Sequence, residues 1–197
     1  MLIDLHCHTL PLSQCSSLRP PELIELARAR GLDGVCLTEH DALWDPGELA
    51  ELRGSTGFLV LGAVELTTDM GHLLAFGLTK GSSRMATARE AFSATQAAGG
   101  LLYLAHPARD GLLRVTRETV EFFESVEAVN GSDSRLQNLA ATGLAHGFRL
   151  PGIGGSDAHT PAEVGRAATR FEVPISDEAS LLAALRSGRY RAEHLEG

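Results

Sequence analysis

The sequence predicts an α/β fold, either a parallel sheet or an α/β barrel. Strand-like and helix-like patterns alternate along the whole chain, which is the order that βαβ units require. No internal repeat, low-complexity tract or long linker interrupts that alternation. At 197 residues the chain can bury one substantial core, so a single domain over residues 1–197 is expected.

Residues 1–5 read as the first strand. Pro20-Pro21 open a helix whose Leu23, Leu26 and Ala27 share a face, and Gly31 ends it. Gly34–Thr38 is a second strand running into Glu39-His40-Asp41, and a short acidic helix fits Pro46–Leu52. Phe58–Val64 is a third strand followed by Glu65, and His72–Gly77 a fourth. A long helix fits Ser83–Ala98, stopped by Gly99-Gly100, before a strand at Leu101–Ala105 with His106 at its end. Thr116–Phe123 reads as helical, Ser125–Val129 as a strand leading into Asn130-Gly131, and Ser134–Ala145 as a helix. Pro151–Gly155 is a glycine-rich strand ending in Ser156-Asp157-Ala158-His159. Ala168–Val173 is expected as the last strand and Glu178–Ser187 as the closing helix.

Composition narrows the function. Hydrophobic residues make up 44% and charged residues 21%, ordinary for a soluble globular chain. Its apolar runs are too short to cross a bilayer, and no basic segment followed by an apolar one opens the chain, so neither a membrane partner nor a signal peptide is expected. Cys7, Cys15 and Cys36 form no CxxC pair and fit a reducing, cytoplasmic setting. The net charge of −8 disfavours long nucleic acid, which needs a basic surface. Bound divalent cations would offset that charge locally, so a small phosphorylated substrate stays compatible with it.

Chemistry concentrates past the strand ends. His6 and His8 alternate on one strand and so share a face. His40, Glu65, His106 and the Asp157/His159 pair follow other strands, at the rim where α/β barrels build active sites. Imidazole nitrogens are common metal ligands and carboxylates can bridge cations.

Five motifs in order carry a resemblance. Asp-Leu-His-Cys-His-Thr at 4–9, Thr-Glu-His-Asp at 38–41, Gly-Ala-Val-Glu-Leu-Thr at 62–67, Ala-His-Pro at 105–107 and Gly-Ser-Asp-Ala-His at 155–159 resemble those of the PHP (polymerase and histidinol phosphatase) superfamily. The resemblance implies a distorted (β/α)7 TIM-like barrel carrying two or three divalent ions, manganese, zinc or iron. It implies that His6, His8, Glu65 and Asp157 bind one ion, that Glu65 bridges to a second held by His106, and that His40 and His159 serve a third. Two positions depart from the pattern: Gln14 stands where a third-metal ligand is common, and Asn130 where a histidine often serves the second. Two ions are therefore favoured, with three held open.

The implied activity is hydrolysis of a small phosphate monoester, of nucleotide or sugar phosphate type, by a metal-activated water, with Asp157 or His159 passing a proton to the leaving alcohol. The alternatives are a nuclease acting on phosphodiesters of short oligonucleotides, and a non-catalytic binding or regulatory domain, which Gln14 and Asn130 motivate. Hydrolysis of C–N bonds is a further one, though the expected bridging lysine or histidine arrangement is missing. Arg109 and, second, Arg135 are the candidates to grip phosphate, because guanidinium forks match its oxygens. Arg109 could instead pair on the surface with Asp110 or Glu118. His72 either lines the site or packs against its strand. Glu39 and Asp41 either orient His40 or are loop charges. Cys7 should face the core, and Trp44 either stacks on a substrate ring or packs its loop. His146 and His194 are given no role. Substrate identity and oligomeric state stay open at this level.

Overall fold

The computed structural model describes residues 1–78, 85–109 and 115–195. Within them, the short apolar runs become strands β1 Leu2–Cys7, β2 Gly34–His40, β3 Leu59–Thr68, β4 Gly71–Phe76, β5 Leu101–Leu104, β6 Ser125–Asn130, β7 Ile153–Gly155, β8 Ala167–Phe171 and β9 Tyr190–His194. Between them lie helices α1 Pro20–Ala29, α2 Pro46–Thr56, α3 Ala88–Ala97, α4 Arg135–Ala145 and α5 Glu178–Ser187. Local chemistry sets the helix ends. Thr87 and Glu90 form a capping box on α3, Ser134 and Gln137 one on α4, and Gly188 closes α5 in the left-handed region.

The strands lie in the order β7-β6-β5-β4-β3-β2-β1-β8-β9. β1, β2 and β3 run parallel, as do β5, β6 and β7, while β4 is antiparallel to both of its neighbours. β8 pairs antiparallel with β1 and β9 with β8. The ribbon curls until the segment after β7 meets β1. Asp157 N–H donates to His6 C=O at 2.7 Å, His8 N–H to Ala158 C=O at 3.1 Å, and Ser156 N–H to Asp4 Oδ1 at 2.8 Å. The result is a nearly closed, distorted α/β barrel, as expected. Gly155 permits the closure: a Cβ there would lie 2.4 Å from His6 Cβ.

Side-chain alternation sorts the core. Leu61 and Ala63 on β3, Leu74 and Phe76 on β4, and Leu101 and Tyr103 on β5 face the interior with Ile3 and Leu5. The other faces of β1 and β2 pack on α1 and α2, and those of β3 to β6 on α3. Leu181, Ala184 and Leu185 of α5 join Phe171 and Tyr190 to fill the barrel at the end remote from the histidines. There the Tyr190 hydroxyl donates to Pro151 C=O at 2.9 Å and accepts from Tyr103 at 2.9 Å, so both buried phenols are partnered.

Several expectations change. β4 reverses direction because only Asp69 and Met70 separate it from β3, too few residues for a parallel crossover. β3 continues past Val64, so Glu65 lies within the strand. Residues 116–123 hold only a short 3-10 turn at Val120–Phe122, α3 begins at Ala88, and residues 83–84 of the expected helix fall outside the described residues. After α5 the chain forms β9, an unexpected strand. We predict that Gly155→Ala lowers stability by about 1–3 kcal/mol, the usual cost of overpacking a tight site. A urea unfolding midpoint equal to that of the parent would contradict this account of the closure.

Candidate metal centre

Each strand delivers its side chain to the mouth by continuing the interior face. Glu65 follows Leu61 and Ala63 at two-residue steps on β3, His40 follows Cys36 on β2, and His106 directly follows Ala105 after β5. His72 shares a face with Leu74 and Phe76, and because β4 is reversed its first turn of residues, not its last, reaches the mouth. On β1 the register slips between Asp4 and Cys7. That irregularity turns His6 and His8 inward behind Ile3 and Leu5 and leaves Cys7 in the outer core, as bulges commonly re-aim side chains. His106, Asp157 and Asp41 hold positive φ values of 26°, 54° and 50°. Non-glycine residues pay for that conformation, and such strain gathers at functional sites.

Glu65 is the hub. Its Oε1 lies 3.0 Å from His72 Nδ1, 3.0 Å from His106 Nε2 and 3.4 Å from His6 Nε2. Its Oε2 lies 2.9 Å from His40 Nδ1 and 3.2 Å from His8 Nε2. Asp157 Oδ1 stands 3.5 Å from His6 Nε2 and 3.3 Å from His8 Nε2, and the two Nε2 atoms are 3.1 Å apart. Six of the eight histidines thus meet at one buried pair of carboxylates.

Outer contacts fix which ring nitrogens face inward. His6 Nδ1 donates to Glu127 Oε1 at 2.9 Å, and His159 Nδ1 donates to Asp157 C=O at 2.9 Å. When neutral, each of these rings turns an Nε2 lone pair toward the centre, the usual arrangement of a ligating histidine. Ser13 Oγ braces His8 Nδ1 at 3.3 Å and accepts from His40 N–H at 3.3 Å. Lone pairs and carboxylate oxygens at this spacing repel unless positive charge sits among them. Glu65 Oε2 makes no hydrogen bond of acceptable geometry despite the closeness of His40. This donor set fits divalent cations. The ligand atoms of His6, His8 and Asp157 lie within 4.8 Å of one another, as do those of His8, His40 and His159, and of His40, Glu65 and His72.

The electrostatics agree. Burial opposes charging His6, but Glu127, Asp157 and Glu65 together hold its pKa well above the usual histidine value. For His8, burial is likewise outweighed by Asp157 and Glu65, and the pKa rises. Burial would raise Glu65 and Asp157, yet the imidazoles, His6 foremost, push both below the ordinary carboxylate range. His159 shifts downward through burial and the nearby His8, so it is neutral at neutral pH. Asp4, fully buried behind the ring, is raised to about 6 by burial.

Other candidates fall elsewhere. Arg109 donates to Asp133 Oδ1 at 2.8 Å, Asp157 Oδ2 at 2.8 Å and Asn130 Oδ1 at 3.0 Å, with its side chain 34% exposed. Of its two expected surface partners, Asp110 lies outside the described residues, and Asp133 and Asp157 are the carboxylates that hold it. Asn130 also donates to Glu127 Oε2 and Asp157 Oδ2. Two candidates are not brought to the ring. Gln14 is exposed and donates to Pro11 C=O, and Arg135 opens α4 and lines an outer groove with Val129, Leu139 and His194. Neither flank of His40 bonds its ring: Glu39 accepts from Thr9 N–H and Trp44 Nε1, and Asp41 from Thr67 N–H. Trp44 therefore packs its loop.

Sequence reasoning missed Glu127, Ser13 and Asp133. Glu127 had a signal, since a glutamate inside the otherwise apolar Ser125–Val129 run has to find a partner in the interior. Ser13 and Asp133 had none, because loop serines and aspartates are ordinary.

Two predictions follow from these contacts. Glu127→Gln keeps the shape but weakens the acceptor for His6, and is expected to lower metal affinity about 10–100-fold, read by titration with manganese; unchanged affinity would refute the bracing role. The second concerns pH. His6 and His8 are raised, so in metal-free protein their contribution is complete below the unfolded value of 6.5 and fades as pH climbs through their folded values. Glu65 and Asp157 are lowered, so theirs is complete above the unfolded values of 4.5 and 3.8 and fades as pH falls. Metal-free protein should therefore have its highest Tm between pH 4.5 and 6.5. Cations displace those protons, so the Tm increment from added manganese should grow with pH, and an increment that shrinks would count against cation binding by these imidazoles.

Comparison with known proteins supports this picture. Residues 135–190 match the family model described as PHP-associated, PHP_C. A sequence search of curated proteins returns no match. Among solved structures, the chain is similar to a two-domain protein from Bacteroides vulgatus ATCC 8482 containing a predicted PHP-like metal-dependent phosphoesterase. That likeness has a TM-score of 0.78 and 21% identity, covering 98% of this chain and 64% of the other. It is similar also to PsfC from Pseudomonas syringae PB-5123, with a TM-score of 0.72, 18% identity, and 98% and 91% of the two chains covered. A third likeness is to an amidohydrolase from Chromobacterium violaceum with bound sulfate and no metal, with a TM-score of 0.63, 20% identity, and 82% and 89% covered. The chain thus shares the barrel fold of these structures, its residues 135–190 match the PHP-associated model, and its five ordered motifs resemble those of the PHP superfamily.

Proposed function

We propose that this protein is a metal-dependent phosphoesterase that hydrolyses a small phosphate monoester of the nucleotide or sugar phosphate type. The observation that carries the reading is the convergence of His6 and His8 Nε2 with Glu65 and Asp157 at one buried point. His6, His8, Glu65 and Asp157 would hold one divalent ion, and Glu65 with His106 or His40 a second. Manganese, zinc or iron suits such a nitrogen and oxygen set. When bound, the ions would supply charge neutralisation of the phosphoryl oxygens and a water acidified toward neutrality.

The chain's own groups do the rest. Asp157, kept ionised by its imidazoles and by Arg109, acts as a ligand and is a poor proton donor at neutral pH. His159, neutral and partly exposed, can take a proton at Nε2 while Asp157 C=O holds its Nδ1–H, then return one to the departing oxygen. The same Nε2 would serve a cation in the His8–His40–His159 group, and the two roles exclude each other. Arg109 spends three of its five N–H groups on Asp133, Asp157 and Asn130, leaving two to meet a phosphate oxygen. The sulfate in the structurally similar amidohydrolase is a tetrahedral oxyanion of the same shape. The net charge of −8 favours a small substrate over long nucleic acid.

The test is manganese-loaded protein on a panel of phosphomonoesters, short oligonucleotides and simple amides. Turnover is expected on phosphomonoesters, with Asp157→Asn reducing kcat/KM by at least about 100-fold. Turnover of amides or oligonucleotides alone would reassign the substrate class. No turnover on any member, with ions verified bound, would support a binding domain instead.

A further inference from the structure

We infer that the cleft between α4 and the outer edge of β9 is a docking groove for an extended acidic segment of a partner protein, which adds to β9 as one more strand. The groove lies away from the histidine ring, and the inference stands independently of the phosphoesterase reading.

The edge is open. Antiparallel pairing sets Arg191 opposite Arg170 and Glu193 opposite Ala168 on β8. Two flanking bonds fix which peptide groups face β8: Leu195 N–H donates to Arg166 C=O at 2.8 Å, and Glu172 N–H to Arg189 C=O at 3.2 Å. Bonded and non-bonded pairs alternate along an antiparallel ladder. The peptide groups of Arg191 and Glu193 therefore serve β8, and those of Ala192 and His194 turn the other way. β9 ends the strand order, and among the described residues neither Ala192 nor His194 makes a further backbone bond on that side. Both residues line the cleft. Such a row of unpaired N–H and C=O groups is a template for another strand.

The facing wall is a helix fixed in place. Arg135, Asn138, Leu139 and Thr142 share one face of α4 and, with Val129 and His194, line a cavity of about 630 Å³. A second cavity of about 460 Å³ shares Val129 and Thr142 with it and runs on beside Arg191 and Ala192. Asn138 ties the helix to the Asn130 peptide by two bonds of 2.8 and 2.9 Å, and Thr142 Oγ1 donates to Ala128 C=O at 3.2 Å. The groove is thus formed before anything enters it, as binding clefts usually are. Leu139 is 69% exposed and Leu136, one turn before it, 78%. They are two of the three large hydrophobic side chains left exposed among the described residues. Apolar side chains at alternate positions of an added strand would cover Leu139 and Val129.

Charge selects the occupant. The chain carries −8 overall, yet no carboxylate lines either cavity, while Arg135, Arg149 and Arg191 do. Arg149 and Arg191 pair with Glu124 and Glu193 at 2.6 and 2.8 Å, and Arg135 makes no ion pair among the described residues. A second copy docked symmetrically here would bring the same three arginines against these, like charge against like. An acidic segment meets them with opposite charge.

The test measures fluorescence anisotropy of labelled peptides about seven residues long, the length of an ordinary strand, in which valine, leucine or phenylalanine alternates with glutamate. A control set carries lysine in place of glutamate. At least one acidic peptide is expected to bind, at least about tenfold more tightly than its lysine counterpart, and to slow hydrogen exchange at the Ala192 and His194 amides. Ala192→Pro removes an outward donor and leaves the bonds to β8, since edge strands tolerate proline. It should weaken binding at least about tenfold by taking away a main-chain bond and crowding the added strand. Arg135→Glu places a carboxylate in the first turn of α4, where a helix favours it, and should weaken binding to a similar degree; it decides should Ala192→Pro not fold. Unchanged binding in Arg135→Glu, or equal binding of the lysine peptides, overturns the inference. So does absence of binding across the acidic set, or binding that leaves exchange at Ala192 and His194 unchanged. Dimerisation of the parent in sedimentation, abolished by Ala192→Pro, assigns the edge to a second copy and overturns it as well.

Discussion

A single buried carboxylate governs this structure. Glu65 has no access to solvent, yet imidazole nitrogens of His6, His8, His40, His72 and His106 surround it within 3.4 Å. Burying a charge is costly unless it is matched. A carboxylate offers about four lone-pair positions, so these nitrogens cannot all be satisfied as hydrogen-bond donors. Protons on His6 and His8 supply part of the missing positive charge in the metal-free chain, and divalent ions supply it without placing two N–H groups nose to nose. The ring is thus a set of groups that are mutually unfavourable alone and mutually favourable around cations.

The barrel exists to bring that set together. The candidate ligand side chains come from β1, β2, β3, β4 and the loops after β5 and β7, separated by up to about 150 residues in sequence, and no local segment holds more than two of them. Closure between β1 and the segment after β7 is what sets Asp157 against His6 and His8, through backbone bonds directly beside the ligands. The glycine at 155, the slipped register on β1 and the positive φ values at His106 and Asp157 are all local departures from regular structure, and all lie at this seam or at the mouth. Regular packing fills the other end with α5 and the Tyr103–Tyr190 pair. Strain is concentrated where the cations would repay it.

Much of this was legible in the sequence, for identifiable reasons. Strand-end histidines and carboxylates could be read because apolar runs fix the strands and the mouth of a barrel lies past their ends. That rule located His6, His8, His40, Glu65, His106, Asp157 and His159. It left His72 undecided because it assumes parallel strands, and the two residues between β3 and β4 force a reversal that puts a strand's beginning at the mouth. Arg135, a candidate by its place after Asn130-Gly131, opens α4 and lines an outer groove away from the ring. Gln14 was read by alignment to a motif, whereas the turn through Pro11 and Ser13 brings the serine inward and leaves the glutamine outside. Neighbour identity in three dimensions, such as Glu127 beneath His6, depends on β6 being next to β5, which no local pattern states.

The charges around Asp157 show how Asn130 and Arg109 fit together. Asp157 uses Oδ1 toward His6 and His8 and Oδ2 toward Arg109 and Asn130, so the residue is divided between a cation cage and a guanidinium. Arg109 is itself divided between Asp157 and Asp133, which holds it at the wall of the mouth. A histidine at position 130 would have to coexist with that guanidinium, whereas an amide can accept from it and donate to Glu127 at once. Asparagine at 130 and arginine at 109 are therefore one arrangement: a fixed positive charge on one side of Asp157, with the imidazoles, among which cations would sit, on the other.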